Sequence, residues 1–253
     1  MQHEFSRTEL LIGNSGLEKL RKSTVIIFGI GGVGSFTAEA LARAGVGHLI
    51  LVDFDDISLT NINRQLHALH STVGEAKVEV MKRRILDINP EAKVETILEF
   101  YSDANAERLL GRKLDYVVDA IDTVSSKVNL AKECSLRKIP LISSMGAGNR
   151  LSAENYKVTD ISKTSGDPLA RAMRKLLRKE GIIKGIKVVS TPDLPLTPLF
   201  TENDLNNDIS LSEDAPYVQK RQTPGSISFV PPVVGLLIAG EVVRDLLQRE
   251  RKV

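Results

Sequence analysis

The sequence predicts an α/β protein built on a doubly wound, mostly parallel sheet. Three observations carry this: short β-branched or apolar runs recur between residues 24 and 144, helix-like segments separate most of them, and a glycine-rich turn follows the first run. Strands alternating with helices require crossover connections, and crossovers produce parallel neighbours.

The elements follow in order. TVIIF (24–28) is a strand, and FTAEALARAG (36–45) after the glycines is a helix. HLILVD (48–53) is the second strand. GEAKVEVMKRRILDINP (74–90) places Val78, Met81, Ile85 and Ile88 at helical spacing and stops at Asn89-Pro90. KVETIL (93–98), DYVVDAI (115–121) and IPLISS (139–144) complete five strands, with VSSKVNLAKECSLRK a helix between the last two. Beyond Gly146-Ala147-Gly148 the rhythm changes. NYKVTDIS and IKVVST read as additional strands, separated by a basic helix from Pro168 to Lys179. A long proline-rich crossover loop (191–226) then leads to a C-terminal apolar helix beginning at Val230. Residues 1–150 thus form the core that carries the glycine turn, and 151–253 a C-terminal extension of the same domain.

Composition narrows the function. At 253 residues, 42% hydrophobic and 26% charged, the chain can bury a full-sized core and is not of disordered composition. A single cysteine permits neither an internal disulfide nor a site needing two thiolates. The net charge of +2 gives no sign of a polyanionic partner. The N-terminus carries no secretory signal, which leads to an expected cytoplasmic location. The apolar run from Val230 to Val243 is interrupted by two prolines and Glu241, too short to span a bilayer; peripheral membrane association through it is the remaining membrane expectation.

GIGGVG (29–34) sets Gly29, Gly31 and Gly34 at G-x-G-x-x-G spacing between a strand and a helix, with Gly32 in the same turn. Such a turn brings backbone close to phosphate and aims helix N–H groups at it, as in Rossmann-like folds. Asp53 ends the second strand 19 residues after Gly34, where a carboxylate can accept ribose hydroxyls. A dehydrogenase would look the same to this point. The next stretch, VDFDDISLTNINRQ (52–65), adds Asp55, Asn61, Asn63, Arg64 and Gln65; Lys77 opens the following helix and Asp122 follows the fourth strand. Two cations and several acids near a phosphate turn suit a triphosphate with Mg²⁺ undergoing attack on a phosphoanhydride.

These motifs (GIGGVGS, ARAGVGHLILVDFD, NINRQ, GEAK and DAID) resemble the adenylation domain of ubiquitin-activating and sulfur-carrier-activating enzymes, over roughly residues 7–150. The resemblance implies that ATP adenylates a carboxylate. Asp53 would hold the ribose, Asn61, Arg64 and Lys77 the phosphates, and Asp122 the Mg²⁺. Asp55 would join the ATP site, and Arg7 would reach into the partner subunit's site of a homodimer. No C-x-x-C pair is present, so no structural zinc is expected, and Cys134 lies mid-helix, away from the position of a thioester nucleophile.

SSMGAGNR (143–150), the segment 160–189 and SFVPPVVGLLIAG resemble a narrower branch, the tRNA threonylcarbamoyladenosine dehydratases, and extend the likeness to nearly the whole chain. That branch implies adenylation of the modified nucleoside's carboxylate beside the tRNA anticodon, then cyclisation by its own ureido group, with AMP and pyrophosphate released. No cysteine is needed, because the nucleophile is intramolecular. Residues 163–187 carry a charge of +6 and residues 193–214 one of −6, so the near-neutral total hides a basic element. Lys163, Arg171, Arg174, Lys175, Arg178 and Lys179 are the candidate tRNA contacts.

Three alternatives remain on the sequence. One is activation of the C-terminus of a sulfur-carrier or ubiquitin-like protein. Another is an NAD(P)-dependent oxidoreductase, although no histidine lies in the second half. The third is non-enzymatic, with Cys134 accepting sulfur from a cysteine-desulfurase system.

Overall fold

Seven strands form one sheet in the order β3-β2-β1-β4-β5-β7-β6. The structure is a computed structural model and describes residues 2–199 and 224–248. In chain order the strands are β1 (Thr24–Phe28), β2 (His48–Val52), β3 (Lys93–Ile97), β4 (Tyr116–Asp119), β5 (Leu141–Ser144), β6 (Lys157–Asp160) and β7 (Lys187–Ser190). All neighbours pair parallel except β6, an antiparallel edge strand on β7. The residues after 150 therefore continue the same sheet.

The helices are α1 (Ser6–Lys22), α2 (Gly34–Ala44), α3 (Lys77–Ile88), α4 (Asp103–Leu110), α5 (Val124–Arg137), α6 (Pro168–Lys179) and α7 (Val230–Gln248). Alternation along each strand assigns side chains to two cores. Val25 and Ile27 of β1 face α1, α2, α3 and α7; Ile26 and Phe28 face α4, α5 and α6. Both faces are covered, which is why these strands read as continuous apolar runs.

Two helices depart from the sequence reading. The segment before β1 is α1, broken at Gly13 (φ 71°) and buried only at Leu17 and Leu20. α4 was not anticipated: eight residues with Ala106, Leu109 and Leu110 buried give too short a period to register. Ser102 and Asn105 form its capping box.

The expectation of a cytoplasmic protein with peripheral membrane association through the terminal helix is corrected by the packing of α7. Its residues Val230, Val234, Ile238, Val242 and Leu246 are buried against α2 and the sheet, so its apolar face is already covered. No helix among the described residues is long and apolar enough to cross a membrane. Pro231 and Pro232 fall in its first turn, where a missing N–H costs no helical hydrogen bond. The glycines of α2 and α7 permit very close approach: a Cβ on Gly235 would lie 2.5 Å from the Val33 carbonyl oxygen. Thr37 Oγ1 also donates to the Gly235 carbonyl at 3.1 Å. α7 thus buttresses the helix that carries the glycine turn. Most of the anticipated crossover loop, residues 200–223, lies outside the described residues, as do the basic terminal residues 249–253.

Candidate active site

A cavity of about 450 Å³ opens at the C-terminal ends of β1, β2, β4 and β5. β1 pairs with β2 on one side and β4 on the other, so this is where crossovers leave in opposite directions and ligands bind in open α/β sheets.

Gly29, Gly31, Gly32, Asp53, Asp55, Arg64, Lys77 and Asp122 all line this cavity. Their positions have local causes. A Cβ on Gly34 would sit 1.8 Å from the Gly29 carbonyl oxygen, so glycine there lets α2 start directly against the turn. At Gly31 the nearest atom to a built Cβ is Gln65 Nε2 at 3.8 Å, so backbone faces open cavity. α2 begins directly after this turn, and a helix N-terminus there is suited to anions.

Asp53 is held by two main-chain donors, Ile30 N–H at 2.6 Å and Asp55 N–H at 2.9 Å. Burial nonetheless raises its pKa above the ordinary carboxylate range, against the opposing pull of Lys77. Lys77 Nζ lies 2.6 Å from Asp55 Oδ2, and the Lys77 N–H donates to the Asp55 carbonyl at 3.1 Å, so Asp55 fixes this lysine at both ends. Arg64 Nη1 donates to the Thr60 carbonyl and to Asn63 Oδ1, each at 2.9 Å. Burial lowers its pKa.

Asn61 and Gly34 are not on the cavity wall. Asn61 Oδ1 accepts the Ser58 N–H at 3.1 Å and closes the short turn that presents Arg64. Arg7 is exposed on the first turn of α1, away from the cavity of its own chain.

Several residues on or behind the wall were not singled out from sequence. Phe54 and Phe100 stand edge to face at 5.3 Å, both partly exposed. An aromatic directly after Asp53, in a chain with 4% aromatics, was the available signal. Asp167 is 1% exposed. Its Oδ1 caps α6 through the Leu169 and Ala170 N–H groups, while Oδ2 accepts the Gly146 N–H of the cavity wall at 2.9 Å. Below the Asp122 turn, Lys127 and Asp119 form a fully buried ion pair.

The basic helix α6 lies beside the cavity, and Leu169 of its first turn joins the wall. Its buried stripe is Ala170, Met173 and Leu177; Arg171, Lys175, Arg178 and Lys179 are exposed, as is Lys163 before it. Arg174 is tied to the Thr164 carbonyl at 3.0 Å. Lys187, counted in the positive segment, is neutralised by Glu241 and Asp245 of α7, each at 2.6 Å.

The ThiF family model matches residues 5–253. The chain belongs to the ThiF family. Among ThiF-family relatives, tRNA threonylcarbamoyladenosine dehydratase of Bacillus subtilis is 50% identical over 248 residues, 98% of this chain and 96% of that protein. The Escherichia coli protein of the same name is 42% identical over 187 residues, 74% of this chain and 70% of that one. The crystal structure of E. coli tRNA N6-threonylcarbamoyladenosine dehydratase in complex with ATP superposes with a TM-score of 0.85 at 32% identity, covering 98% and 96% of the two chains.

Proposed function

We propose that this ThiF-family protein is an ATP-dependent tRNA threonylcarbamoyladenosine dehydratase. The observation that carries the reading is a phosphate-suited cavity wall (glycine turn, Arg64, Lys77, Asp122) joined through Asp167 to a basic helix, in a chain similar end to end to enzymes of that name. Residues 1–150 serve as the nucleotide-binding core and 151–253 as its extension.

In this reading Asp53 receives the ribose, while the glycine turn, with Arg64, Lys77 and the Asn61 turn, receives the phosphates beside Asp55. The substrate carboxylate attacks the α-phosphorus, the bond to pyrophosphate breaks, and an acyl adenylate forms. Arg64 and Lys77 oppose the charge that builds on the phosphates. An atom of the substrate's own ureido group then bonds to the acyl carbon, AMP leaves and one proton is lost. The nucleoside is left short of one water.

Asp122 fits a Mg²⁺ ion held mostly by ATP. It is exposed; among the described residues it has only the Thr123 hydroxyl at 3.3 Å, and no cluster of three or more His, Cys, Asp or Glu there could hold a metal without phosphate. When bound, Mg²⁺ neutralises phosphate charge.

For the tRNA, Lys163, Arg171, Lys175, Arg178 and Lys179 offer an exposed phosphate-backbone contact, with Arg174 braced behind them. A homodimer is supported by α1, where Leu10 and Leu11 are each 87% exposed beside Arg7, a surface suited to a second copy. Cys134 does not support a desulfurase-linked role: it is buried, and burial pushes its thiol up to about 12.

The reading is tested by AMP release. tRNA carrying the linear modification should stimulate AMP formation from ATP-Mg²⁺, whereas a protein with a Gly-Gly tail should not. Stimulation by the Gly-Gly tail alone would transfer the assignment to sulfur-carrier activation.

A further inference from the structure

The chemistry above does not use the ion pair beneath the Asp122 turn. Lys127, in the first turn of α5, and Asp119, the last residue of β4, have fully buried side chains, 3.0 Å apart from Nζ to Oδ2. A buried pair of charges is a poor stabilising device, because desolvation offsets most of the attraction and apolar replacements are often neutral or better. Its hydrogen bonds point to another role. Lys127 Nζ donates to the Ile121 carbonyl at 3.1 Å, and Asp119 Oδ1 accepts the Ile121 N–H at 3.1 Å. The Ser143 hydroxyl donates to Asp119 Oδ2 at 2.5 Å, tying the pair to β5.

Both main-chain polar groups of Ile121 are therefore held from below, one by each member of the pair. The next residue is Asp122, whose carboxylate has, among the described residues, only the Thr123 hydroxyl at 3.3 Å. A side chain held so loosely takes its direction from its backbone, and this backbone is set by Ile121. We infer that Lys127 and Asp119 are positioning residues for Asp122, gripping the Ile121 peptide so that the Asp122 carboxylate faces the phosphate end of the cavity. This rests on the reading of Asp122 as the carboxylate at the ATP phosphates. The pair touches no substrate; it acts through Ile121 and Asp122.

Removing Lys127 alone leaves a buried, unpaired carboxylate that can prevent folding. The informative variant is therefore the double substitution Asp119→Asn with Lys127→Met, which removes both charges at similar volume and keeps an acceptor for the Ile121 N–H. It should melt close to the wild-type temperature, yet lose about tenfold or more in kcat with KM for modified tRNA little changed. Titration calorimetry gives a readout without turnover: the gain in ATP affinity on adding Mg²⁺ should shrink about tenfold relative to wild type. Lys127→Arg, which keeps charge and donors, should regain part of both. Ser143→Ala, which keeps both charges, should fold and show a smaller loss of about threefold in the same two readouts. Wild-type kcat and wild-type Mg²⁺-dependent gain in a folded double variant, or in Ser143→Ala, would overturn the inference. A wild-type protein that binds ATP with Mg²⁺ but forms no AMP with modified tRNA defeats the functional reading instead, and the calorimetric comparison still decides the positioning role.

Discussion

His67 is 2% exposed, and among the described residues neither ring nitrogen has a hydrogen-bond partner. Burial, helped by the nearby Lys77 charge, lowers its pKa from 6.5 to about 4, so the native imidazole stays neutral where the unfolded one is protonated. Between those values the unfolded chain binds the extra proton, and stability falls as pH falls. The loss should reach about 3 kcal/mol near pH 4 from this residue alone. His67→Leu keeps an apolar side chain in place and should flatten that part of the profile. Urea unfolding at neutral pH and near pH 4.5 measures it; parallel profiles for the two proteins would show that His67 does not set the acid sensitivity. The imidazole lies two residues beyond Gln65, whose buried Oε1 also lacks a partner, on the turn that carries Arg64. Unsatisfied polar atoms concentrate where the chain is shaped for a ligand.

Two helices set the site from opposite sides. α7 packs its apolar face on α2 behind the glycine turn, and α6 starts from the Asp167 carboxylate that also holds Gly146. The terminal helix was legible as an apolar run, but not its partner, because the close approach at Gly235 is a tertiary fact. The exposed cations of α6 were legible from helical spacing. The bond of Arg174 to Thr164 and the neutralisation of Lys187 by α7 were not, since their partners are distant in sequence or lie on a neighbouring turn. Arg171→Glu with Lys175→Glu should therefore weaken tRNA binding and reduce the magnitude of the salt slope by about one for each phosphate that is no longer neutralised. Fluorescence titrations across salt concentrations check this. An unaltered slope places the tRNA elsewhere on the surface.

At the scale of the whole molecule, the inner strands β1 and β2 were readable because both faces of the sheet are covered there and their runs are almost wholly apolar. The insertion of β7 between β5 and β6 was not readable, since strand order beyond simple crossovers is decided by packing. The cavity residues anticipated from the sequence, Gly29 to Asp122, share a motif-bearing stretch of chain, and strand ends bring Asp53 and Asp122 together across β1. Lys127 escaped notice for a physical reason: a lysine on an amphipathic helix reads as solvated, and only the fold reveals it at 0% exposure. The near-neutral total charge likewise concealed a basic helix. In the proposed function this cavity binds ATP for an intramolecular dehydration on tRNA. The most direct measurement is nucleoside mass after incubating the protein with ATP, Mg²⁺ and tRNA carrying threonylcarbamoyladenosine. A nucleoside lighter by one water, formed in step with AMP, is the predicted result; AMP formation or ATP binding with the nucleoside mass unchanged would contradict it.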